Sequence, residues 1–170
     1  MIVVAIDPGP VKTAYCIFKV PSIPAQDLPE ILSFGIRENK DVLEDWLTFY
    51  QCRPDRIAIE MIASYGMAVG ASVFDTCVWI GRFAQALDEF QEKTTFIFRK
   101  DVKMHLCGSM KAKDSNIRQA ILDLYIAKYG EGVTKKGGML YKASKDIWAA
   151  IGVGLTYINS QEKKWNPSQE

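Results

Sequence analysis

A chain of 170 residues suits one domain with a sizeable core and leaves little room for a second. Hydrophobic residues make up 48%, yet no apolar run reaches the roughly eighteen residues of a membrane span, and the N-terminus reads as a strand candidate rather than a signal peptide, so a soluble intracellular protein is expected. The net charge of +1 conceals an asymmetry: residues 1–98 carry 8 Lys+Arg against 13 Asp+Glu, and residues 99–170 carry 13 against 7.

The opening "MIVVAI" is a short apolar run rich in β-branched residues, as in a strand covered on both faces. Asp7 ends it, and Pro8-Gly9-Pro10 forbids its continuation. A carboxylate at the end of a buried strand is costly to desolvate unless a metal ion, a basic side chain or a row of N–H groups meets it. A plain cap on the Pro-Gly turn is the alternative. Next, "KTAYCIFKV" and "EILSFGI" read as two more strands around a proline-rich loop, giving an antiparallel meander.

"NKDVLEDWLTFYQC" puts Val42, Leu43, Trp46, Leu47 and Tyr50 on one helical stripe, with Asn39 or Asp41 as its cap. "RPDRIAIEMI" then supplies a fourth strand, which a crossover helix allows to run parallel to the first. From about Ser72 a helix is expected to carry Phe74, Val78, Phe83 and Leu87 inward, and "TTFIFRK" is a fifth strand. "KDSNIRQAILDLYIAKYG" is a helix capped by Asp114 or Ser115 and ended by Gly130. After a glycine-rich excursion, "SKDIWAAIGVGLTYINSQ" forms an apolar helix against the sheet. The order β β β α β α β α α describes one mixed α/β domain over residues 1–160, with 161–170 expected to be a frayed tail.

Glu60 repeats the oddity of Asp7, because "RIAIE" is another apolar strand ending in an acid. Parallel neighbours would bring both acids to the carboxyl edge of the sheet, where open α/β sheets place their sites. Asp146 opens the last helix beside Ala149 and Ala150, whose small side chains permit close approach; it also suits the helix dipole. Three acids without a histidine or cysteine set suit Mg²⁺ or Mn²⁺. Two such ions about 3.5 to 4 Å apart can activate water and stabilise a leaving oxygen in phosphodiester hydrolysis. The four cysteines, Cys16, Cys52, Cys77 and Cys107, lie far apart with no CxxC pair and read as reduced thiols.

Strand-Asp-Pro-Gly at Asp7, a strand-terminal Glu60 after the crossover, and Asp146 opening an alanine-rich helix resemble the RuvC family of Holliday-junction resolvases, of the ribonuclease H-like superfold. "AKDSNIRQAI" and "KDIWAAIGVGLTYI" look most like phage and prophage members. The resemblance implies a five-stranded mixed sheet, three strands antiparallel and two parallel, flanked by helices. It implies a crossover junction endodeoxyribonuclease with catalytic and metal-binding Asp7, Glu60 and Asp146, two Mg²⁺ or Mn²⁺ ions, branched DNA as substrate and a homodimer. The expected location is the bacterial cytoplasm.

The family places a further acid or histidine one helical turn before its last aspartate, where this chain has Ala143. Asp114 is a candidate substitute and Asp75 a weaker one, although Asp114 also suits a helix cap. Lys100, Lys103, Lys111 and Lys113 are candidate phosphate contacts, against the alternative of a merely solvated surface. Tyr65 and Met67 are candidate wedges at a junction, against ordinary loop packing. His105 stands among structural residues. The helix from Ser72 to Phe90, with Phe74, Trp79 and Phe83, is the candidate dimer interface. A non-catalytic branched-DNA binder and an actin- or sugar-kinase-type nucleotide-binding domain are the competing readings.

Overall fold

The computed structural model describes residues 1–21, 28–44, 54–64, 66, 68–86 and 94–165. In chain order they form β1 (Ile2–Pro8), β2 (Lys12–Lys19), β3 (Glu30–Glu38), α1 (Asn39–Glu44), β4 (Arg56–Met61), α2 (Ala71–Ala86), β5 (Thr94–Phe98), α3 (Arg99–Cys107), α4 (Asp114–Tyr129) and α5 (Lys145–Trp165), with a 3-10 turn at Glu131–Thr134. The sheet order is β3-β2-β1-β4-β5. β1 pairs antiparallel with β2 and β2 with β3, whereas β1–β4 and β4–β5 are parallel. This is the expected sheet. Among the described residues no helix is long and apolar enough to cross a membrane, and Cys16, Cys77 and Cys107 are free thiols.

Strand periodicity divides the core in two. Along β1, Val3 and Ala5 join a cluster with Phe18, Ile121, Tyr125, Ile151 and Leu155 beneath α4 and α5, while Val4 and Ile6 join Ile17, Val42, Ile57, Ile59, Ile80 and Phe83 beneath α1 and α2. Both faces of β1 are therefore covered, which explains its unbroken apolar run. α5 lies close on β1 and β2 because Gly154 leaves no side chain there: a Cβ would stand 2.2 Å from Phe18 Cε2 and 3.0 Å from Ala5 Cβ.

Several local expectations need correction. A helix not foreseen, α3, follows β5 without a connecting residue, making the order β β β α β α β α α α. Val102 is its one fully buried side chain, so its apolar periodicity is too thin to read in the sequence. On α2 the inward residues are Thr76, Ile80 and Phe83, whereas Phe74 and Val78 are 61% and 55% exposed. Apolar residues occur on both sides of this helix, so periodicity alone could not choose which side meets the sheet. Asn39 does not cap α1: it is buried, accepts a hydrogen bond from Thr13 Oγ1 at 2.7 Å and donates to the Gly9 carbonyl at 2.9 Å. Asp114 and Ser115 do not cap α4, whose Lys113 N–H is met by Asn116 Oδ1 at 2.9 Å. Trp46, Leu47, Tyr50, Cys52, Tyr65, Met67, Leu87 and Phe90 lie outside the described residues.

Gly154→Ala sets helix propensity, worth up to about 1 kcal/mol in favour of alanine, against overpacking of about 1–3 kcal/mol. The steric effect wins at 2.2 Å from an aromatic carbon. Urea denaturation should show net destabilisation for Gly154→Ala and none for Gly81→Ala, where a Cβ on α2 meets open space.

Candidate active site at the carboxyl edge of the sheet

In the parallel pairing of β1 with β4, Ala5 lies opposite Ala58 and Ile6 opposite Ile59. Two residues beyond the alanines, on the same face, come Asp7 and Glu60. Both therefore emerge side by side beneath the start of α5, which supplies Asp146. The three acids line one cleft of about 360 Å³. The sequence expectation that they converge from the first strand, the fourth strand and the last helix thus matches the geometry.

The turn after Asp7 is fixed from outside the cleft. Gly9 N–H bonds the Lys12 carbonyl at 2.9 Å, and a Cβ on Gly9 would stand 2.7 Å from that oxygen, so a side chain there would force the turn open. The buried Asn39 carboxamide holds the Gly9 carbonyl and Thr13 together. Asn39 N–H also reaches the Val11 carbonyl at 2.9 Å.

Two cations and a further acid share the cleft with the three carboxylates. Arg99, the first residue of α3, brings Nη1 to 3.6 Å from Glu60 Oε1 and Nη2 to 2.5 Å from Asp114 Oδ1. Lys145 Nζ stands 3.3 Å from Asp114 Oδ2. Both Asp114 oxygens are thus engaged by cations, and the Arg99 hydrogen bond holds its carboxyl below the usual range. Burial works against the charge of Arg99, but Glu60, Asp114 and Asp7 restore it, so the guanidinium stays charged. Burial first, and then the charge and hydrogen bonding of Glu60, push Asp7 up to about 9. Crowding of the two carboxylates at a buried strand edge thus favours the uncharged form of Asp7.

Three carboxylates without sulfur or imidazole have the chemistry of a hard divalent ion site. Among the described residues, however, no three acidic, histidine or cysteine side chains stand close enough to share one ion as arranged. The fit is to an ion held chiefly by adjacent Asp7 and Glu60, with Asp146 at the cleft wall.

Arg99 and Lys145 were not assigned to the site from sequence. Arg99 was legible only through register: Glu60 pairs with Ile97, so two residues further on the chain leaves the same edge. Ala143 lies just ahead of α5, three residues before Asp146, and its carbonyl accepts from Trp148 Nε1 at 3.0 Å. Asp75 is exposed on α2, away from the cleft residues. Lys100 and Lys103 lie on α3, and Lys111 and Lys113 are exposed between α3 and α4; none lines the cleft. His105 Nε2 lies 2.7 Å from Asn159 Nδ2, joining α3 to α5.

No protein-family model and no curated protein matches the sequence. Among solved structures, the chain is similar to Thermus thermophilus RuvC in complex with Holliday junction substrate, at 16% identity and a TM-score of 0.72, covering 96% of each chain. The Fowlpox virus resolvase bound to Holliday junction DNA follows at 21% identity and 0.54, covering 95% of this chain and 99% of that one. The yeast mitochondrial Holliday junction resolvase gives 12% and 0.58, covering 97% and 83%. The fold is that of RuvC-type resolvases, within the ribonuclease H-like class.

The raised Asp7 carboxyl has a definite consequence for stability. Because its folded value lies above the unfolded one, its favourable contribution is complete below about pH 4 and drains away as pH rises toward about 9. Without divalent ions, Asp7→Asn should raise the melting temperature by roughly 3 °C or more at pH 8 and by much less at pH 4, as followed by circular dichroism.

Proposed function

We propose that this protein is a metal-dependent, structure-selective DNA endonuclease that hydrolyses phosphodiesters in Holliday junctions or related branched DNA. The observation that carries this reading is the meeting of Asp7, Glu60 and Asp146 at one edge of a RuvC-type sheet. Asp7 and Glu60 would hold a divalent ion, with Asp146 completing the oxygen set. Bound there, such ions supply an activated water and neutralise charge on the leaving oxygen.

The remaining side chains position the DNA and balance charge. Arg99 offers a permanent cation to a phosphate at the cleft, and the lysines of α3 and of the α3–α4 connection extend positive charge beyond it. In an adjoining hollow of about 250 Å³, Arg118 lies 5.3 Å over the Trp148 ring, adding another basic group on the same side. A homodimer with two such sites would cut opposed strands. Its interface is proposed on the outward side of α2, where Phe74 and Val78, one turn apart, are exposed. Of the residues expected there from the sequence, Phe74 is exposed, whereas Phe83 is fully buried and Trp79 packs partly buried against the same cluster.

Asp7→Asn, Glu60→Gln and Asp146→Asn should each abolish cleavage of a labelled four-way junction in Mg²⁺ or Mn²⁺ while leaving gel-shift binding intact or tighter. Each change removes an ion ligand and a charge that repels phosphate. Binding without cleavage by the unaltered protein would favour the non-catalytic DNA binder, a reading that the alanine at position 143 keeps in play.

Replacing Lys100, Lys103, Lys111 and Lys113 together should weaken junction binding and flatten its salt dependence by about 0.9 in log–log slope per lost phosphate contact. An unchanged slope would assign these lysines to solvent. Val78→Glu should convert the dimer to monomer in light scattering, with the fold preserved because that side chain faces outward.

A further inference from the structure

Four carboxylates, Asp7, Glu60, Asp114 and Asp146, line the cleft with two cations, Arg99 and Lys145. With every group ionised the excess is two negative charges, which one divalent ion balances before any phosphate enters the cleft. The ligands tell the same story. Both Asp114 oxygens are taken by cations, and position 143 carries a methyl group.

Arg99 is placed to make up the difference. β5 passes directly into α3 at this residue, so its backbone is fixed by the sheet on one side and the helix on the other. Asp101 Oδ2 accepts from Phe98 N–H at 3.2 Å and pins the junction. Asp114 then holds one arm of the guanidinium through Nη2. The other arm, Nη1, is buried, has no hydrogen-bond acceptor, and lies 3.6 Å from Glu60. A buried N–H without an acceptor is costly, and this one is aimed at the acidic centre.

We propose that Arg99 is a built-in cation of the centre that stands in for a second metal ion, so that the site takes one divalent ion. Beside Glu60, its planar guanidinium, which cannot lose its charge, would supply positive charge to a phosphate drawn into the cleft. This rests on the endonuclease reading and replaces the expected pair of ions with one ion and one arginine.

The test is Mn²⁺ binding to the full chain by calorimetry and by electron paramagnetic resonance, with Asp7→Asn as the blank. The expected result is one Asp7-dependent site in the unaltered protein. Arg99→Ala should tighten that site about tenfold or more, because a charge near 4 Å is removed, and Arg99→Ala with Ala143→Asp should bind two ions. Arg99→Lys should keep the count at one.

Two Asp7-dependent ions in the unaltered protein would overturn the inference and leave the nuclease reading standing. So would an Arg99→Ala protein with unchanged count and affinity, since a purely structural Arg99–Asp114 pair would lower only the melting temperature. No Asp7-dependent ion at all would sink the metal reading itself and the inference with it. Should Arg99→Ala not fold, the Mn²⁺ dependence of junction cleavage by the unaltered protein decides: a Hill slope of about one supports the proposal, and a slope near two overturns it.

Discussion

The structure turns on the parallel, in-register pairing of β1 with β4. Because Ala5 lies opposite Ala58, the carboxylates two residues further along each strand emerge side by side on one face. Two acids so placed beneath a helix repel each other, and burial deepens the conflict by removing the water that would screen them. Everything around them answers that conflict: Arg99 from the end of β5, the raised Asp7 carboxyl, and an oxygen-lined cleft suited to a divalent ion.

The surrounding packing keeps the conflict from relaxing. α5 cannot retreat with Asp146, because its apolar length is buried on the sheet and Gly154 seats it against Phe18 and Ala5. The Asp7 turn cannot swing aside, because Asn39 ties the Gly9 carbonyl to Thr13 from a buried position. Stability provided elsewhere in the fold thus maintains a locally unfavourable arrangement of charge, as is common where binding or chemistry needs it.

Most of the sheet was legible in the sequence because its strands are apolar and bounded by proline, glycine or acids. Asp7 and Glu60 stood out for the same reason, each being a charge at the end of a run that should be dry. What stayed hidden depended on tertiary choices. α3 carries a single fully buried residue, so no periodic signal announced it. α2 has apolar side chains on both sides, and only the sheet decides that Ile80 and Phe83 go in while Phe74 and Val78 stay out. Asn39 looked like a helix cap because its type suits one, but its partners are 26 and 30 positions away in the chain. Arg99 looked like one basic residue among many until strand register placed it beside Glu60.

The direct passage of β5 into α3 leaves no slack between strand and helix. A loop would absorb the gain or loss of one residue, but here the strand ladder and the first helical turn share a boundary. Deleting one residue within β5 would shift the chain by one position against β4, turning every side chain to the opposite face and presenting Lys100 where Arg99 now stands. The segment can therefore drift by substitution far more readily than by a change in length. Across divergent relatives of this chain, the spacing from Glu60's partner Ile97 to the basic residue at 99 should be kept more strictly than the identity of the apolar residues before it.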